Sequence, residues 1–491
     1  MTDQPDIVVL LLDTARADRL SPYGCRRDTT PFLDELAEES TVFERAYSTS
    51  IWSLPAYGSF FTGLLPSEHG AVSWGDEIER NSLLEELSER GYRTCAVSPH
   101  VLPDGYNIAT SFDELIEVTE GNLDARLDGD PVAKYVQDRN QAGGWDSKAA
   151  MIRDVLGVTI EERSWETVPN GLRYLVETVK RRRGHWGDDG AATILEEARE
   201  LLSRDDEPVF LFANFIEPHE DYRPPREYAR RFVDDDVSFR EMDEAVTTST
   251  VATNLGLTER TERQRRILAD LYDAELAYLD DQFRSFYEWL DARDSLDESV
   301  LLVFSDHGDL FGEWNVWGHS SRIHNSLCRV PLIIRYPWER ARREPGLTSL
   351  QTLHDHLVDI GSSERPGSEA LVSDRVFVEY HGLETQYLSR PWTEHGIPVD
   401  RVNCYQASVV EGDHRLLWDS QGTVELYEPR TDPDETHDLA DERPGVVEEL
   451  RSAVADRLGT PQERQDAYDG RVDRTVTDRE VRRRLEDLGY V

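Results

Sequence analysis

The sequence predicts an α/β fold: a large mixed, mostly parallel sheet flanked by helices, followed by a smaller C-terminal subdomain of antiparallel strands and a helix. Two patterns carry that expectation. Over roughly the first 385 residues, short β-branched or leucine-rich runs alternate with helical patterns, as expected when helices cover both faces of a parallel sheet. Beyond about Asp400 the period shortens to strands separated by tight, turn-rich stretches, the mark of an antiparallel meander.

Taken in order, the expected core strands are Ile7–Leu12, Arg93–Ser98, Pro208–Phe215, Ser299–Ser305 and Pro331–Arg335, with Arg375–Tyr380 as a further candidate. Helices are expected over Thr30–Ser40, after a polar cap, over Ser82–Arg90, and over Glu259–Leu290, a long amphipathic stretch. From about Asp104 to about 190 the pattern turns irregular and polar, with Gly143-Gly144 and the basic run Lys180–Arg183, and reads as an insertion over one sheet edge. The catalytic unit is then 1–385. A second unit, 386–460, contains the strands Tyr405–Glu411, His414–Trp418 and Thr423–Tyr427 and a helix from Pro444 to Leu458. Residues 461–491 form a charged tail without an apolar stripe.

Composition excludes several classes. The 491 residues carry a net charge of −44. Only Lys134, Lys148 and Lys180 are lysines, so the basic residues are almost all arginine. Carboxylates spread along the whole chain, with lysine nearly absent, point to a halophilic, archaeal cytosol, where salt screens self-repulsion. The same charge argues against nucleic acid, which needs a basic footprint. The longest apolar run, Ile7–Leu12, is far short of the roughly 20 residues that span a bilayer. The first residues lack a secretory leader pattern, so the expected location is cytoplasmic. Cys25, Cys95, Cys328 and Cys404 are too scattered for a thiolate metal site and read as small buried hydrophobes.

The polar residues that follow the strands carry the chemistry. Ile7–Leu12 ends at Asp13, Ser299–Ser305 ends at Asp306-His307-Gly308-Asp309, and Pro208–Phe215 leads into Glu217-Pro218-His219. Ligands of open α/β sheets bind beyond the carboxyl ends of strands, so these termini can converge. Asp and His together suit a divalent cation, although an Asp after a buried strand is more often a cap or turn residue. Pro55 favours the first turn of a helix and places Ser53 at or just before its N-terminus, where the partial positive charge favours an anion. Ser53 is then either an N-cap or, beside a metal, an alkoxide nucleophile.

These residues, with their neighbours, are similar to the sulfatases of the alkaline phosphatase superfamily. The resemblance rests on Val8–Leu20 with Tyr23-Gly24 and Thr30–Ala37, on Trp52-Ser53-Leu54-Pro55 with Phe61–Gly70, on Glu217-Pro218-His219, and on Ser305-Asp306-His307-Gly308 with Gly318-His319. It extends to Glu425-Leu426-Tyr427 and Asp432–Ala440 in the carboxy-terminal part, and so covers the chain in order. It implies that Asp13, Asp306 and His307 are metal ligands and that Ser53 is the nucleophile, itself bound to the metal. His219 and His319 would hold the ester oxyanion, act as acid towards the leaving oxygen, or complete a second metal site. Arg16, His69 and His100 are substrate-binding candidates; for the lone His100, which follows the strand Arg93–Ser98, a structural hydrogen bond is the alternative. His324 ranks below these. Asp280-Asp281 reads as solvated surface, with a capping role for Asp280 as the alternative.

The departures bear on substrate. The formylglycine signature of the family has arginine where this chain has Tyr57, so conversion of Ser53 is doubtful. Many sulfatases have a second aspartate where this chain has Thr14, and Asp-Asn where it has Asp306-His307, a pair similar to that of the superfamily's phosphodiesterases and phosphoglycerol transferases. The expected activity is metal-dependent hydrolysis (Ca, Mn or Zn) of a sulfate ester on a small molecule or glycan. The alternatives are a phosphodiesterase, phosphomonoesterase or phosphoglycerol-type transferase and, further off, a non-catalytic metal- or glycan-binding relative.

Overall fold

The computed structural model describes residues 4–73, 76, 83–99, 108–118, 186–204, 207–254, 256, 258–319, 322–382 and 403–469. The strands of its large sheet are β1 (Asp6–Leu12), β2 (Thr41–Tyr47), β3 (Arg93–Ser98), β4 (Glu114–Glu117), β5 (Val209–Phe215) and β6 (Ser299–Phe304). Two short strands, β7 (Leu310–Phe311) and β8 (Trp317–Gly318), form a separate ribbon. The large sheet is completed by β9 (Arg329–Val330), β10 (Leu332–Arg335), β11 (Arg342–Ser349) and β12 (Val372–Ser373). Its order is β12-β11-β2-β10-β6-β1-β5-β3-β4, with β9 attached to β2. β1 runs parallel between β5 and β6, while β10 is antiparallel to β6.

The apolar continuity of β1 reflects burial on both faces. Ile7, Val9 and Leu11 pack towards the helices Ser53–Thr62, Leu83–Glu89 and Leu353–Gly361. Val8, Leu10 and Leu12 pack towards Pro31–Ala37, Ala191–Leu201 and the long helix Glu262–Asp291. That long helix opens with a capping box, Thr261 accepting from the Gln264 amide while the Gln264 side chain reaches back to the Thr261 amide.

The small sheet has the order β13 (Arg375–Tyr380), β14 (Gln406–Glu411), β15 (His414–Asp419), β16 (Val424–Tyr427), all antiparallel. The helix Pro444–Leu458 lays Leu450, Val454 and Leu458 on Tyr405, Val409, Leu416 and Leu426. Arg375–Tyr380, expected as a candidate strand of the large sheet, instead pairs in register with β14. Of the strands that escape a reading of the sequence, three do so for visible physical reasons. The apolar run of β2 is broken by Glu44-Arg45, β11 carries Pro345-Gly346 at a register shift, and β4 is only four residues long. β4 falls within the stretch expected as an irregular insertion, and it forms the parallel edge of the sheet beside β3. Gly143-Gly144, Lys180–Arg183 and the residues beyond Asp469 lie outside the described residues.

Asp280 is not on the solvated surface. Its carboxylate accepts from the amides of Phe32 and Leu33 at 2.7 and 2.9 Å and so caps the helix Pro31–Ala37 from across the core. Asp281 next to it is half-exposed and accepts from the Tyr228 hydroxyl. Cys95, Cys328 and Cys404 are buried, Cys25 is partly exposed, and none of the four is in a disulfide. No helix among the described residues is long and apolar enough to cross a membrane.

Candidate active site

Strand register brings the first residues together. Leu11 stands opposite Phe304 in the β1–β6 ladder, so Asp13 and Asp306, each two residues further on, emerge at the same level. On the other side Leu12 stands opposite Phe215, and the Asp13 amide extends that ladder by donating to the Phe215 carbonyl. Beyond Asp13 the chain turns through Thr14 in the left-handed region (φ 59°), a conformation that costs about 1–3 kcal/mol for a branched residue. It is held there by the Thr14 hydroxyl on the Pro218 carbonyl and by the Tyr272 hydroxyl on the Thr14 carbonyl.

Asp13, Asp306 and His307 are all buried, and one ligand atom from each lies within 4.8 Å of the others. The Asp306 Oδ1 accepts from the His307 amide at 3.0 Å and the Thr14 amide at 3.4 Å, while its Oδ2 and the Asp13 Oδ1 have no hydrogen-bond partner. The His307 Nδ1 lies 2.9 Å from the Gly308 carbonyl. A carbonyl only accepts, so the proton resides on Nδ1 and the Nε2 lone pair is free. That Nε2 sits 3.5 Å from Asp306 Oδ2 and 3.9 Å from Asp13 Oδ1. Two orphaned carboxylate oxygens and an imidazole lone pair facing one point fit a divalent cation. The electrostatics agree: burial and then the neighbouring Asp306 push the Asp13 carboxyl well up, and burial pulls the His307 imidazole down to about 4.

Ser53 is the first residue of the helix Ser53–Thr62, and Trp52 occupies the capping position. Its Oγ lies 3.2 Å from the His307 Nε2, which places the hydroxyl against the cluster at the helix N-terminus. The capping alternative therefore gives way to a hydroxyl facing the chemistry. Beyond Leu54 the helix is buried, and Tyr57 one turn on brings its phenol against Ser53 and Asn214. Burial, then the charges of Asp306 and Asp13, push that phenol well up, so it stays protonated.

His219 donates from Nδ1 to the Glu220 carbonyl at 2.7 Å, leaving Nε2 for exchange. Burial pulls its pKa down, but Asp13, the Glu220 carbonyl and Asp309 outweigh it and raise it above the ordinary histidine value. His319 lies with its Nδ1 3.3 Å from Asp309 Oδ1; burial and then the charge of His219 pull it to about 3. Its ring stands 5.3 Å from His219 and 4.6 Å from His307, so the three imidazoles form one row beside the carboxylates.

The remaining candidates are elsewhere employed. Arg16, expected to bind substrate, commits four of its five N–H groups to Asp18, Glu313 and the Asp309 carbonyl, and its charge is matched by two carboxylates. It braces the chain after His307. His69 is also structural: Nδ1 accepts from the Ala71 amide, and Nε2 donates to the Pro55 carbonyl at 3.2 Å, in the first turn of the Ser53 helix. Its ring fills the space beside Gly58, where a Cβ would come within 2.5 Å. His324 caps a short helix and faces Asp434 and Glu435. His100 lies outside the described residues. Tyr57, Asn214 and Asp309 were not singled out as site residues by the sequence; only Tyr57 stood out, as a departure from a signature. A cavity of 440 Å³ lined by Asp18, Arg45, Tyr47, Arg329, Arg343 and Arg430 contains none of the cluster residues. Its arginines are tied to Glu44, Asp413 and backbone carbonyls.

The role of His69 has a pH signature. Burial holds it at about 4 against an ordinary 6.5. A base depressed by folding contributes stability that is full above the unfolded value and is lost as pH falls through the folded one. His69 should therefore account for about 2 kcal/mol of stability lost between pH 6.5 and 5. Unfolding free energies of wild type and His69→Gln at pH 7 and 5 check this: the variant's loss should be smaller by that amount, and an equal loss would refute it.

Comparison with known proteins gives a consistent picture. A sequence model of the family described as Sulfatase matches residues 5–361. An arylsulfatase of Clostridium perfringens is 24% identical over 456 residues, covering 89% of this chain and 90% of that protein. A choline-sulfatase of Rhizobium meliloti is 24% identical over 485 residues, covering 91% and 85%. Among solved structures, a phosphonate monoester hydrolase of Agrobacterium radiobacter superposes with a TM-score of 0.63 at 17% identity, over 93% of this chain and 96% of that one. A 2-O GAG sulfatase does so with a TM-score of 0.63 at 16% identity, over 95% and 94%.

Proposed function

Because the chain belongs to the sulfatase family, and is with it a hydrolase of sulfate or phosphate esters, we propose that Ser53 is its nucleophile and that Asp13, Asp306 and His307 hold the assisting divalent cation. The observation that carries this reading is the Ser53 hydroxyl resting 3.2 Å from the lone-pair nitrogen of a buried histidine that faces two unpartnered carboxylate oxygens. Such a cation, when bound, lowers the pKa of a neighbouring hydroxyl and offsets the charge of the ester oxygens.

The chain's own residues supply the rest. Ser53 enters as the alkoxide, its proton lost to solvent; its Oγ attacks the sulfur or phosphorus, the bond to the leaving oxygen breaks, and a covalent serine ester forms, from which water later releases the serine oxygen again as the alkoxide. His219 and His319 face the same space, and one delivers the proton that the leaving oxygen needs; the acid's conjugate base then takes a proton from the water that cleaves the serine ester. Asp309 orients His319 and is itself fixed by the Tyr222 hydroxyl. The neutral Tyr57 phenol and the Asn214 amide position the nucleophile. Tyr57→Phe should lower kcat about tenfold with KM nearly unchanged, the effect of losing one hydrogen bond worth about 1.4 kcal/mol. An unchanged kcat would remove Tyr57 from the account.

We take the substrate to be a sulfate ester on a small molecule or glycan, in line with the arylsulfatase and choline-sulfatase relatives. A phosphate ester is the second reading, favoured by Tyr57 at a signature position, which leaves Ser53 a plain serine. We take the enzyme to work in a salt-accumulating cytoplasm, a reading its acidic, lysine-poor composition supports, so the assay belongs in molar KCl. Aryl sulfate and aryl phosphodiester are offered with Mn²⁺, Zn²⁺ or Ca²⁺. Cleavage of either, abolished by chelator and restored by the ion, is the expected result; no cleavage of both overturns the reading.

A further inference from the structure

In a chain of 98 acidic and 54 basic residues, two arginines that line the 440 Å³ cavity have no carboxylate partner among the described residues. The cavity lies between β2, β9 and β11 of the large sheet and, from the small one, the β14–β15 turn and the stretch after β16. Arg45 and Tyr47 stand two apart on β2, and Arg329 of β9 is the register partner of Tyr47, so strand alternation turns all three to one side. Arg45 donates to the Gly412 carbonyl, and Arg329 donates from Nε and a terminal nitrogen to the Glu44 carbonyl at 3.3 and 3.0 Å. Among the described residues, the remaining N–H groups of both arginines meet no acceptor.

The carboxylates of the cavity wall are already taken. Asp18 is held by Arg16 through two bonds of 2.9 Å, Glu44 by Arg343 at 2.7 Å, and Asp413 by Arg430 at 3.3 Å. Arg329 acts on Asp18 only from beyond ion-pairing distance. Each wall carboxylate thus has its own arginine, and Arg45 and Arg329 keep two whole charges, because a carbonyl accepts a hydrogen bond without cancelling charge. A guanidinium cannot be relieved by losing its proton. Tyr47, 2% exposed, adds a donor whose hydroxyl has no hydrogen-bond partner among the described residues. Burial, then Cys328, push its phenol up to about 12 against Arg329 and Arg45, so it keeps its proton. Two guanidinium forks and a hydroxyl suit a tetrahedral dianion, whose oxygens accept several charge-assisted bonds. The cavity is as large as a small-molecule pocket, and Pro345, Pro429 and Pro433 give it walls for an organic group beyond the anion.

We propose that Arg45, Arg329 and Tyr47 bind a sulfate or phosphate group, inorganic or at the end of an organic ester, between the large sheet and the C-terminal subdomain and apart from the Ser53 centre. The bound group takes up the two unmatched charges and ties β2 and β9 to the β14–β15 turn, which Arg45 already grips through Gly412. Asp18 on the same wall is the partner of Arg16, so the site adjoins the brace behind His307 without lending a residue to it.

Equilibrium dialysis of the full-length protein in molar KCl with chelator tests this, with radiolabelled sulfate, radiolabelled phosphate and, on Ser53→Ala, an aryl sulfate as probes. Molar salt screens the net charge of the chain and its exposed arginines, so the uptake that remains is binding at contact distance. Chelator strips the Ser53 centre of any cation, and its bare carboxylates then repel an anion. Wild type should take up one anion per chain saturably, and Ser53→Ala should match it. Arg45→Gln should bind at least about tenfold more weakly and Tyr47→Phe about fivefold, and both leave the contact of Arg329 with Glu44 in place. Uptake of an inorganic probe assigns the free ion, and uptake of the aryl sulfate alone assigns the ester group; each bears the proposal out. No saturable uptake of any probe, or uptake unchanged in both Arg45→Gln and Tyr47→Phe, overturns it. Inorganic uptake that Ser53→Ala alone abolishes places the anion at the Ser53 centre and overturns it as well.

Discussion

Ser53→Ala is expected to lower cleavage of the preferred aryl ester about 10⁴-fold or more while shifting unfolding free energy by less than about 1 kcal/mol. The size follows from the role: without the nucleophile the covalent path closes, and only binding and electrostatic stabilisation by the surviving cluster remain. The small stability change follows from the position. Ser53 is only partly buried, it begins a helix whose remaining nine residues are buried, and its side chain caps no backbone group of that helix. A residual rate within about tenfold of wild type would show that the hydroxyl is not the attacking group.

Asp306→Asn carries the second large effect, and its sign is opposite for activity and stability. Asparagine keeps an oxygen where Asp306 Oδ1 accepts the His307 and Thr14 amides, so the local backbone is preserved. It replaces only the unpartnered Oδ2, substituting a donor for the acceptor that faces Asp13 and His307. Cleavage should fall about 10³-fold or more, and the protein should retain less Mn²⁺ after gel filtration. In chelator-treated protein the variant should unfold at a higher temperature than wild type, because burial and the neighbouring Asp306 charge are what disfavour the Asp13 carboxylate. A drop in the unfolding temperature of the metal-free variant would mean that the two aspartates do not oppose each other.

The sequence was most legible where the chemistry is one-dimensional. Ile7–Leu12 and Val300–Phe304 read as buried parallel strands because both faces are apolar, and Asp13 and Asp306 stood out as the charges ending those runs. Pro55 correctly pointed to a helix start at Ser53. Side-chain direction was not legible. Arg16 and His69 are polar residues in resemblance-bearing segments, and what they do depends on Glu313, Asp18, Pro55 and Ala71, three of which lie within fifteen residues and one nearly three hundred away. Asp280 was hidden for the same reason, since a charged pair in an amphipathic helix looks like surface until the amides of Phe32 and Leu33 are placed opposite it. Arg375–Tyr380 has strand composition, yet only the pairing partner decides the sheet, and β14 lies beyond a long intervening stretch.

The tail of the chain illustrates the converse. The helix expected from Pro444 to Leu458 is found at those residues, beginning at a proline and ending just before Gly459. The meander before it was marked by Glu411-Gly412-Asp413 and Asp419–Gly422, where turn chemistry is local and needs no distant partner. Thr14 shows the limit of such local signals: its left-handed backbone is fixed by Pro218 and Tyr272, and no neighbour in sequence announces it.

The shared role of residue 53 as attacking atom is tested most directly by stopping the wild-type enzyme with acid during turnover and weighing the peptide that contains it. A serine peptide heavier by one sulfuryl or phosphoryl group, on Ser53 and seen only with the divalent ion present, is the predicted result. An active enzyme whose quenched peptide carries unmodified serine at every time point, or whose ester is found on another residue, would contradict it.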